Sequence, residues 1–458
     1  MKYKLSKYVI ITDSFIDNKE SQKLVYSTRT GDVIILNNET IKKLMNNNFF
    51  TLEDHLIDRL IFSEIVVPEL EDELDTVLNE FEISKLDSDI LSMTITPSAN
   101  CQLGCEYCGQ VHSKLSITED LSEKIFEYIK NKLSLKEYSG LDIVWYGAEP
   151  LMGINAIRDL SERLLNFCSN NDLSYSASMI TNGLNLNRKN FQDLVANMQI
   201  KSFQITIDGT QDTHDNSRFT KKKEPTFEFI VRNIVNAIND PLYKKENVSI
   251  LIRVNVHENN YLEVDKLLDF FHDLKIQDKI QMSFAAVHDW GNNNANKKIG
   301  LSMTHFADLE IGWFLKMKEL NFRKHELVPQ RTFSTCMTTS ENNELIDAKG
   351  EISYCWEVPY TPDFEANNDL IIGNVSDQSI HLKDSQDMPL RNWYNDIRNK
   401  NNNSENCNAC EFLPVCGGHC PISWFKGIRA CPSFKLNIED KLIMQYIEDG
   451  ELLNINKG

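Results

Sequence analysis

The chain of 458 residues has no run of about 18 consecutive apolar residues, the length that a membrane-spanning helix needs, so we expect no membrane span. Its first residues, MKYKLSKYVIITDS, lack the longer apolar core and small-residue cleavage site of a signal peptide, which favours a cytoplasmic location. Disulfides are rare in that compartment, so most of the 11 cysteines, which are clustered, indicate metal binding. Cys168 stands apart in the helical pattern LSERLLNFCSN and is expected to be a buried, inert thiol.

Basic residues are scarce relative to acidic ones: 48 Lys and Arg against 67 Asp and Glu give a formal charge of −19. A protein that binds a phosphate backbone usually presents a basic face. We therefore expect no nucleic-acid partner, whereas a neutral or basic peptide is easier to accommodate. The sequence has no repeat of fixed period, and its length suits two or three globular domains.

Residues 1–85 combine strand and helix patterns. KLVYSTRTGDVIILN predicts two strands joined by a turn at residues 30–32, and NNETIKKLMNN predicts a helix with an asparagine cap. Two more helical segments follow, LEDHLIDRLIF and LEDELDTVLNEF. This order predicts a small winged-helix-like α+β domain.

Residues 86–328 alternate amphipathic helical segments with six apolar ones: ILSMTITP, LDIVWYGAEP, YSASMITNG, FQITIDG, VSILIRVNV and IQMSFAAV. This alternation predicts parallel βα units, which would form a partial (β/α)6 barrel. The chemistry of such barrels lies at the carboxyl ends of the strands. Cys101, Gly147, Asn182 and Asp208 each lie just past the end of a predicted strand, so this edge is the predicted site.

Three cysteines, Cys101, Cys105 and Cys108, lie in the segment SANCQLGCEYCGQ after the first predicted strand. A structural zinc site or a fully ligated iron–sulfur cluster has four protein ligands. With three thiolates, one iron of a cluster stays open to a small molecule that offers an amine and a carboxylate. The Cys-x3-Cys-x2-Cys spacing resembles the radical SAM superfamily, whose cluster binds S-adenosylmethionine (SAM). Zinc held by these thiols and a distant histidine is the alternative.

The resemblance extends to segments expected around the cofactor. Tyr107 occupies the position of an aromatic residue near the adenine. YGAEP (146–150) is similar to the family's Gly-Gly-Glu-Pro strand end, whose backbone holds the methionyl amine, although Ala148 replaces the second glycine. ITNG (180–183) implies ribose contacts, and IDGTQDTHDNSR (207–218) implies a carboxylate-binding arginine. The implied cofactor-binding residues are Tyr107, Gly147, Ala148, Glu149, Thr181, Asn182, Thr206, Asp208 and Arg218.

Residues 329–440 form a cysteine-rich domain, called the cysteine-rich tail below, and residues 441–458 are assigned separately as a C-terminal tail. The order of the seven cysteines in the cysteine-rich tail, together with IIGNV (371–375), resembles the SPASM domain, which carries two auxiliary four-iron clusters. A zinc ribbon is the alternative. The resemblance implies an outer cluster ligated by Cys407, Cys410, Cys416 and Cys431, and an inner cluster held by Cys336, Cys355 and Cys420. No eighth cysteine follows Cys336 closely, so the inner cluster has an open iron or an oxygen or nitrogen ligand.

Together these features imply a radical SAM/SPASM peptide maturase with three 4Fe-4S clusters. Reductive cleavage of SAM would yield a 5′-deoxyadenosyl radical that takes hydrogen from a ribosomally synthesised precursor peptide. A thioether, carbon–carbon or carbon–oxygen crosslink would then form. Residues 1–85 resemble domains that capture a leader peptide by strand addition, with a plain stabilising cap on the barrel as the alternative. The expected electron donor is a flavodoxin or ferredoxin-type protein.

Two other functions fit parts of the sequence. Sulfatase-maturing relatives, which form formylglycine, have an aspartate directly after the second tail cysteine, where this chain has Trp356 and then Glu357. Sulfatase maturation is therefore the second hypothesis. A substrate role for Trp356 and Glu357 and the alternative, core packing for Trp356 and a surface charge for Glu357, fit the sequence equally well. An iron–sulfur redox or electron-transfer protein, the third hypothesis, would need the clusters but not YGAEP or ITNG.

Overall fold

The computed structural model describes residues 2–17, 20–86, 88–289, 294–365, 370–377, 390–401, 404 and 406–455. Part of the predicted cysteine-rich domain (378–389) and the last residues of the predicted tail (456–458) lie outside the described residues. The chain divides into two compact units. The first comprises Met1–Asp87, Glu326–Ser340 and Leu390–Gly458, and the second comprises Ser88–His325 and Glu341–Pro389. The domain boundaries at residues 85, 328 and 440 stay predictions.

The N-terminal segment contains the predicted strand–turn–strand and three helices. Its described strands are β1 (Tyr3–Leu5), β2 (Val9–Ile11), β3 (Phe15–Asp17), β4 (Glu20–Ser27), β5 (Val33–Asn37) and β6 (Val66–Pro68). Its helices are α1 (Asn38–Met45), α2 (Asp54–Phe62) and α3 (Glu73–Leu86). β4 pairs antiparallel with β2, β3 and β5, and β1 pairs with β6. Asn37 caps α1 as predicted, because its Oδ1 accepts a hydrogen bond from Thr40 N at 2.8 Å.

The second unit confirms the predicted partial barrel. Its parallel strands are β7 (Ile90–Ile95), β8 (Gly140–Trp145), β9 (Ser174–Thr181), β10 (Ile200–Thr206), β11 (Ser249–Val256) and β12 (Gln281–Ala286). They pair in chain order. The helices are α4 (Glu119–Leu133), α5 (Ile154–Asn170), α6 (Arg188–Ala196), α7 (Gln211–Ser217), α8 (Phe227–Ile238), α9 (Pro241–Lys245), α10 (Val264–Asp273), α11 (Ala295–Ile299) and α12 (Met303–Glu319).

Three further strands extend this sheet beyond the barrel. They are β13 (Asn343–Ile346), β14 (Glu351–Ser353) and β15 (Ile371–Asn374). β13 pairs parallel with β7, and the antiparallel strands β14 and β15 follow it, so the described sheet has nine strands. The remaining helices are α13 (Pro362–Glu365), α14 (Trp393–Asn399), α15 (Leu413–Cys416), α16 (Pro421–Phe425) and α17 (Phe434–Ile455). No helix in the described part of the chain is long and apolar enough to cross a membrane.

The N-terminal segment shares its hydrophobic core with the cysteine-rich tail. In one cluster, Tyr8 and Phe81 pack with Trp393, Tyr394 and Trp424. In a second cluster, side chains of β4 pack with side chains of α15 and α17: Leu24, Tyr26, Val415, Ile438 and Leu442. Burial of large apolar side chains is the main favourable term in folding, so neither part completes its core without the other.

Phe81→Ala is expected to lower the free energy of unfolding by about 3–5 kcal/mol, because it removes a fully buried ring and leaves a cavity. The ring of Phe81 stacks on Tyr394 with centroids 4.6 Å apart. Urea denaturation followed by tryptophan fluorescence measures the change. The matched control is Phe62→Ala, since Phe62 is 83% exposed and should change stability by less than about 0.5 kcal/mol. Equally small effects of both variants would contradict the shared core.

Candidate functional site

The three thiols of the loop after β7 line one cavity of about 320 Å³ at the carboxyl ends of the barrel strands. Cys101 is buried, and Cys105 and Cys108 are partly exposed. The chain after α7 holds this loop: Gly104 N donates to Phe219 O at 2.8 Å, and Lys221 N donates to Gln102 O at 2.9 Å. A Cβ at Gly104 would lie 3.3 Å from the Phe219 ring, so glycine permits this close approach.

Burial raises the pKa of the Cys101 thiol to about 12 and that of the Cys105 thiol to about 11, and it also raises the pKa of Cys108. Ligation of a metal would therefore release protons at neutral pH. In the part of the chain that the structure describes, no three His, Cys, Asp or Glu side chains converge as the ligands of one metal ion would.

Gly147 and Ala148, which follow β8, line the same cavity. Gly147 has a φ of +111°, and a Cβ there would lie 2.6 Å from Thr96 Cβ, so this position requires glycine. Ala148 does not have a positive φ. The replacement of the family's second glycine by Ala148 therefore introduces no backbone strain.

Glu149 connects the end of β8 to the end of β9 through a fully buried carboxylate. It accepts hydrogen bonds from Leu151 N at 3.0 Å, from Thr181 Oγ1 at 2.7 Å and from Asn182 N at 2.8 Å. Burial raises the pKa of Glu149, and these three donors partly offset that rise. Asn182 Nδ2 lies 3.7 Å from Cys101 Sγ. These predicted cofactor-binding residues thus form one network beside the first thiol.

Glu149→Gln is expected to lower the free energy of unfolding by about 1–3 kcal/mol, because an amide group would leave one of the three buried donors without an acceptor. Thermal unfolding measures the loss. The matched control is Glu162→Gln on α5, where the side chain is exposed. If Glu149→Gln were as stable as this control, the three hydrogen bonds would contribute nothing to the fold.

Tyr107 is the centre of a second network. Its hydroxyl donates to Asp208 Oδ2 and accepts from Arg218 Nη1 at 2.5 Å and from Asn255 Nδ2 at 3.1 Å. Asp208 Oδ1 accepts from Asn255 N at 2.8 Å, and Asp208 Oδ2 lies 3.7 Å from Arg218 Nη1. Tyr107, Arg218 and Thr206 line the cavity, whereas Asp208 is fully buried outside its lining. Asp208 therefore positions Tyr107 and Arg218 through contacts made outside the cavity lining.

Six polar residues on the cavity wall were not predicted from the sequence: Gln110, His112, Gln204, Arg253, Asn255 and His288. β11 alternates fully buried apolar residues with less buried ones, and Arg253 and Asn255 occupy the second set near its carboxyl end. Successive side chains of a strand point to opposite faces, so this alternation places both residues on the inner face. The sequence did contain a signal for Arg253 and Asn255: two polar residues alternate with apolar ones near the end of a barrel strand.

Trp356 lines the cavity rather than serving only as core packing. Its ring stacks on Tyr146 with centroids 5.2 Å apart, and its Nε1 donates to Thr94 Oγ1 at 3.0 Å. Glu357, predicted as either a surface charge or a substrate contact, accepts a hydrogen bond from His288 Nε2 at 3.0 Å. Both residues after Cys355 thus belong to the wall of the cavity or support it.

In the first unit, four of the tail thiols line a small cavity: Cys407, Cys410, Cys416 and Cys431. These are the four predicted ligands of the outer cluster. Lys435 Nζ donates to Cys410 Sγ at 3.0 Å, and Arg429 Nε donates to Cys431 Sγ at 3.5 Å, so two cations face the thiols.

The other predicted thiols are placed differently. Cys336 and Cys420 belong to the same unit as the outer thiols, and Cys355 belongs to the second unit. Ligation of an inner cluster stays a prediction. Cys168 is 1% exposed on α5, and burial raises its pKa to about 11, as expected for an inert thiol.

Residues 95–271 match the Radical SAM superfamily and therefore form a radical SAM domain. The cysteine-type anaerobic sulfatase-maturating enzyme of Clostridium novyi (strain NT) is 23% identical over 360 residues, which cover 72% of this chain and 87% of that relative. The fold is similar to that of anSMEcpe with bound AdoMet, with a TM-score of 0.56, 18% identity and coverage of 78% of this chain and 98% of that one. It is also similar to SuiB of Streptococcus suis bound to the precursor peptide SuiA, with a TM-score of 0.51, 13% identity and coverage of 91% and 95%.

Proposed function

We propose that this radical SAM enzyme is a SPASM-type maturase that installs a crosslink in a ribosomally synthesised precursor peptide. The observation that carries the proposal is the composition of the cavity at the carboxyl ends of the barrel strands. Three thiols and Glu149 line it together with Tyr146, Trp356 and Arg253. A cavity with this lining suits a cluster-bound cofactor beside a substrate side chain.

The residues present fit SAM and a four-iron cluster. Cys101, Cys105 and Cys108 would hold the cluster. Arg218 Nε is buried and has no hydrogen-bond partner among the described residues, which suits a cofactor carboxylate. When bound, the cluster and SAM supply a carbon radical that takes a hydrogen atom from the substrate. Asp208 and Asn255 keep the Tyr107 ring in place through its hydroxyl, so that the ring can pack against the cofactor.

The chain's own residues restrict the substrate and handle charge. Trp356 is fixed by its hydrogen bond to Thr94 and its stack on Tyr146, so this wall excludes water from the reacting carbon. A crosslink removes two hydrogens from the peptide: one as an atom, the other as a proton and an electron. The outer tail thiols would hold an auxiliary cluster that takes this electron. The cations Arg429 and Lys435 beside those thiols favour the additional negative charge. A flavodoxin or ferredoxin-type protein would supply the electron that cleaves SAM.

We further propose that residues 1–85 bind the leader of the precursor peptide. Among the described strands, β5 pairs only with β4, so its other edge leaves N–H and C=O groups for an added strand. The alternative, a stabilising cap, is supported by the core that this segment shares with the tail. Because deletion of residues 1–85 would remove that core, leader binding has to be tested by changing the peptide.

Proline substitutions at alternate positions of the leader are expected to raise the dissociation constant of the precursor by at least about tenfold, or about 1.4 kcal/mol. Proline has no N–H to donate to a strand edge, so paired positions lose their hydrogen bonds. Fluorescence anisotropy with a labelled precursor measures the change. The control carries prolines in the core peptide instead. Unchanged affinity for the proline-containing leader would reject strand addition.

A second candidate function is the oxidation of a sulfatase cysteine or serine to formylglycine. The Clostridium novyi relative favours it. Trp356 stands in this chain where the sulfatase-maturing branch has an aspartate, so a different group would have to take the proton. The third hypothesis, an electron-transfer protein, does not account for a cavity that joins the thiols to an aromatic wall.

One experiment separates these functions. The reconstituted enzyme is incubated anaerobically with SAM, a reductant and one of two peptides. The first is the precursor peptide encoded by a neighbouring short open reading frame, and the second is a sulfatase-derived peptide. A crosslinked product loses hydrogen and gains no carbonyl, whereas formylglycine is an aldehyde that reacts with a hydrazide. Mass spectrometry before and after hydrazide treatment distinguishes them. Absence of 5′-deoxyadenosine under all conditions would contradict both maturases and support electron transfer.

A further inference from the structure

Arg253 presents a guanidinium group without an acidic partner to the cavity. It lies near the carboxyl end of β11 and lines the cavity wall. Its Nε donates to Asn255 Oδ1 at 3.0 Å. In the part of the chain that the structure describes, its two Nη atoms make no hydrogen bond or ion pair within the protein. Arg253 is therefore oriented by Asn255 and leaves the forked end of the guanidinium for a ligand.

The two arginines of the cavity differ in how their charges are balanced. Arg218 lies 3.7 Å from Asp208 and donates to Tyr107, and Cys105, Tyr107 and Asp208 together raise its pKa despite its burial. Burial lowers the pKa of Arg253; Tyr146, Asp208 and Tyr107 offset this only in part, and Arg253 forms no ion pair with a described residue. A partly buried charge without a counter-charge is unfavourable, and a bidentate carboxylate from a ligand would remove that cost.

Two carboxylates could reach this cavity, one from SAM and one from the peptide. In the proposed site Cys101, Cys105 and Cys108 would hold the cluster, and Arg218, which donates to Tyr107 and keeps a buried Nε without a partner among the described residues, would bind the cofactor carboxylate. Arg253 lies on a different strand from Arg218, its Nε is held by Asn255, and its Nη atoms are left for a second carboxylate. Tyr146 stacks on Trp356, and both aromatic residues line the same cavity as Arg253.

We infer that Arg253 binds a carboxylate of the peptide substrate and that the enzyme selects an acidic group close to the reacting residue. The carboxylate is an Asp or Glu side chain or the C-terminus of the peptide. Tyr146 and Trp356 provide an apolar surface for the flanking side chain. The inference rests on the proposed function, because it names the substrate class of the same site.

The test measures binding of defined peptide pools to the reconstituted full-length enzyme in the presence of SAM. One pool contains short N-acetylated, C-amidated peptides with Asp or Glu at varied positions, and its partner pool has Asn or Gln there. A third pool has no acidic side chain but a free C-terminal carboxylate. Affinity selection with mass spectrometry is expected to show that wild type retains acidic or free-terminus peptides at least about tenfold over their amide partners.

Arg253→Gln is expected to remove this preference, and Arg253→Lys is expected to retain part of it, because lysine keeps the charge but not the fork. The matched control is Arg232→Gln on α8, an exposed position, which should select peptides as wild type does. A partial preference in Arg253→Lys would also show that a substitution at this position leaves a folded enzyme, so that the loss in Arg253→Gln reports on the charge.

Three outcomes would overturn the inference. The first is no preference of wild type for any carboxylate, and the second is a preference that survives in Arg253→Gln. The third is an increase of the SAM dissociation constant by at least about tenfold in Arg253→Gln, as expected of Arg218→Gln, which would assign the carboxylate to the cofactor. Failure of the proposed function is read separately, as the absence of 5′-deoxyadenosine from wild-type enzyme with SAM and reductant.

Discussion

Cys105→Ala abolishes formation of 5′-deoxyadenosine and lowers the iron content of the reconstituted chain from about twelve to about eight atoms, if the three barrel thiols hold one of three four-iron clusters. Cys101, Cys105 and Cys108 line one cavity, and two thiolates are too few to retain the cluster. Without it, bound SAM has no source of the electron that cleaves it. Anaerobic iron analysis and chromatography of the reaction products measure the two effects.

The matched control for this variant is Cys168→Ala. Cys168 is 1% exposed on α5 and does not line the cavity, so its removal should leave both iron content and 5′-deoxyadenosine formation at wild-type values. Wild-type yields of 5′-deoxyadenosine from Cys105→Ala would contradict the assignment of the barrel thiols. A wild-type chain that binds about four irons and stoichiometric zinc would instead assign zinc to the tail.

Cys410→Ser is expected to stop peptide modification while part of the SAM cleavage continues without product. Cys410 belongs to the other compact unit from the barrel thiols, and it lines the small cavity with Cys407, Cys416 and Cys431. Loss of one ligand there removes the proposed route for the electron that leaves the peptide. It leaves the cavity lined by Cys101, Cys105 and Cys108 unchanged.

Measurement of 5′-deoxyadenosine and of peptide product in the same reaction separates the two activities. Serine is chosen because it is similar in size to cysteine, and thermal unfolding checks that Cys410→Ser is folded. Equal loss of both activities in a folded variant would show that the tail thiols serve the barrel rather than the final electron transfer.

The strand and helix pattern of the barrel could be predicted from the sequence because it is local. Segments such as VSILIRVNV and IQMSFAAV are rich in apolar residues and lie between helical patterns. In the structure they form two of the six parallel strands. The cap at Asn37 was equally predictable, since an N-cap needs only the next few residues. The spacing of Cys101, Cys105 and Cys108 likewise brings three thiols together in one loop.

The core that residues 1–85 share with the tail could not be predicted in this way. Tyr8 and Phe81 pack against Trp393 and Tyr394, which are more than 300 residues away in the chain. Hydrophobic burial is not directional, so an apolar pattern shows that a side chain is buried without showing which partner covers it. The pairing of β13 with β7 could not be predicted either, because the sequence of a strand does not specify its neighbour.

The lining of the cavity depends on both the sequence and the tertiary structure. The sequence alone determined which residue types follow the strands, including Glu149, Asn182 and Asp208, because strand ends and motif spacings are properties of neighbouring residues. The tertiary structure alone decided that Asp208 supports Tyr107 from behind and that Arg253 meets the cavity without an acidic partner. These roles arise where separate strands converge, and the hydrogen bonds and uncompensated charge there are set by distances between residues that are remote in the chain.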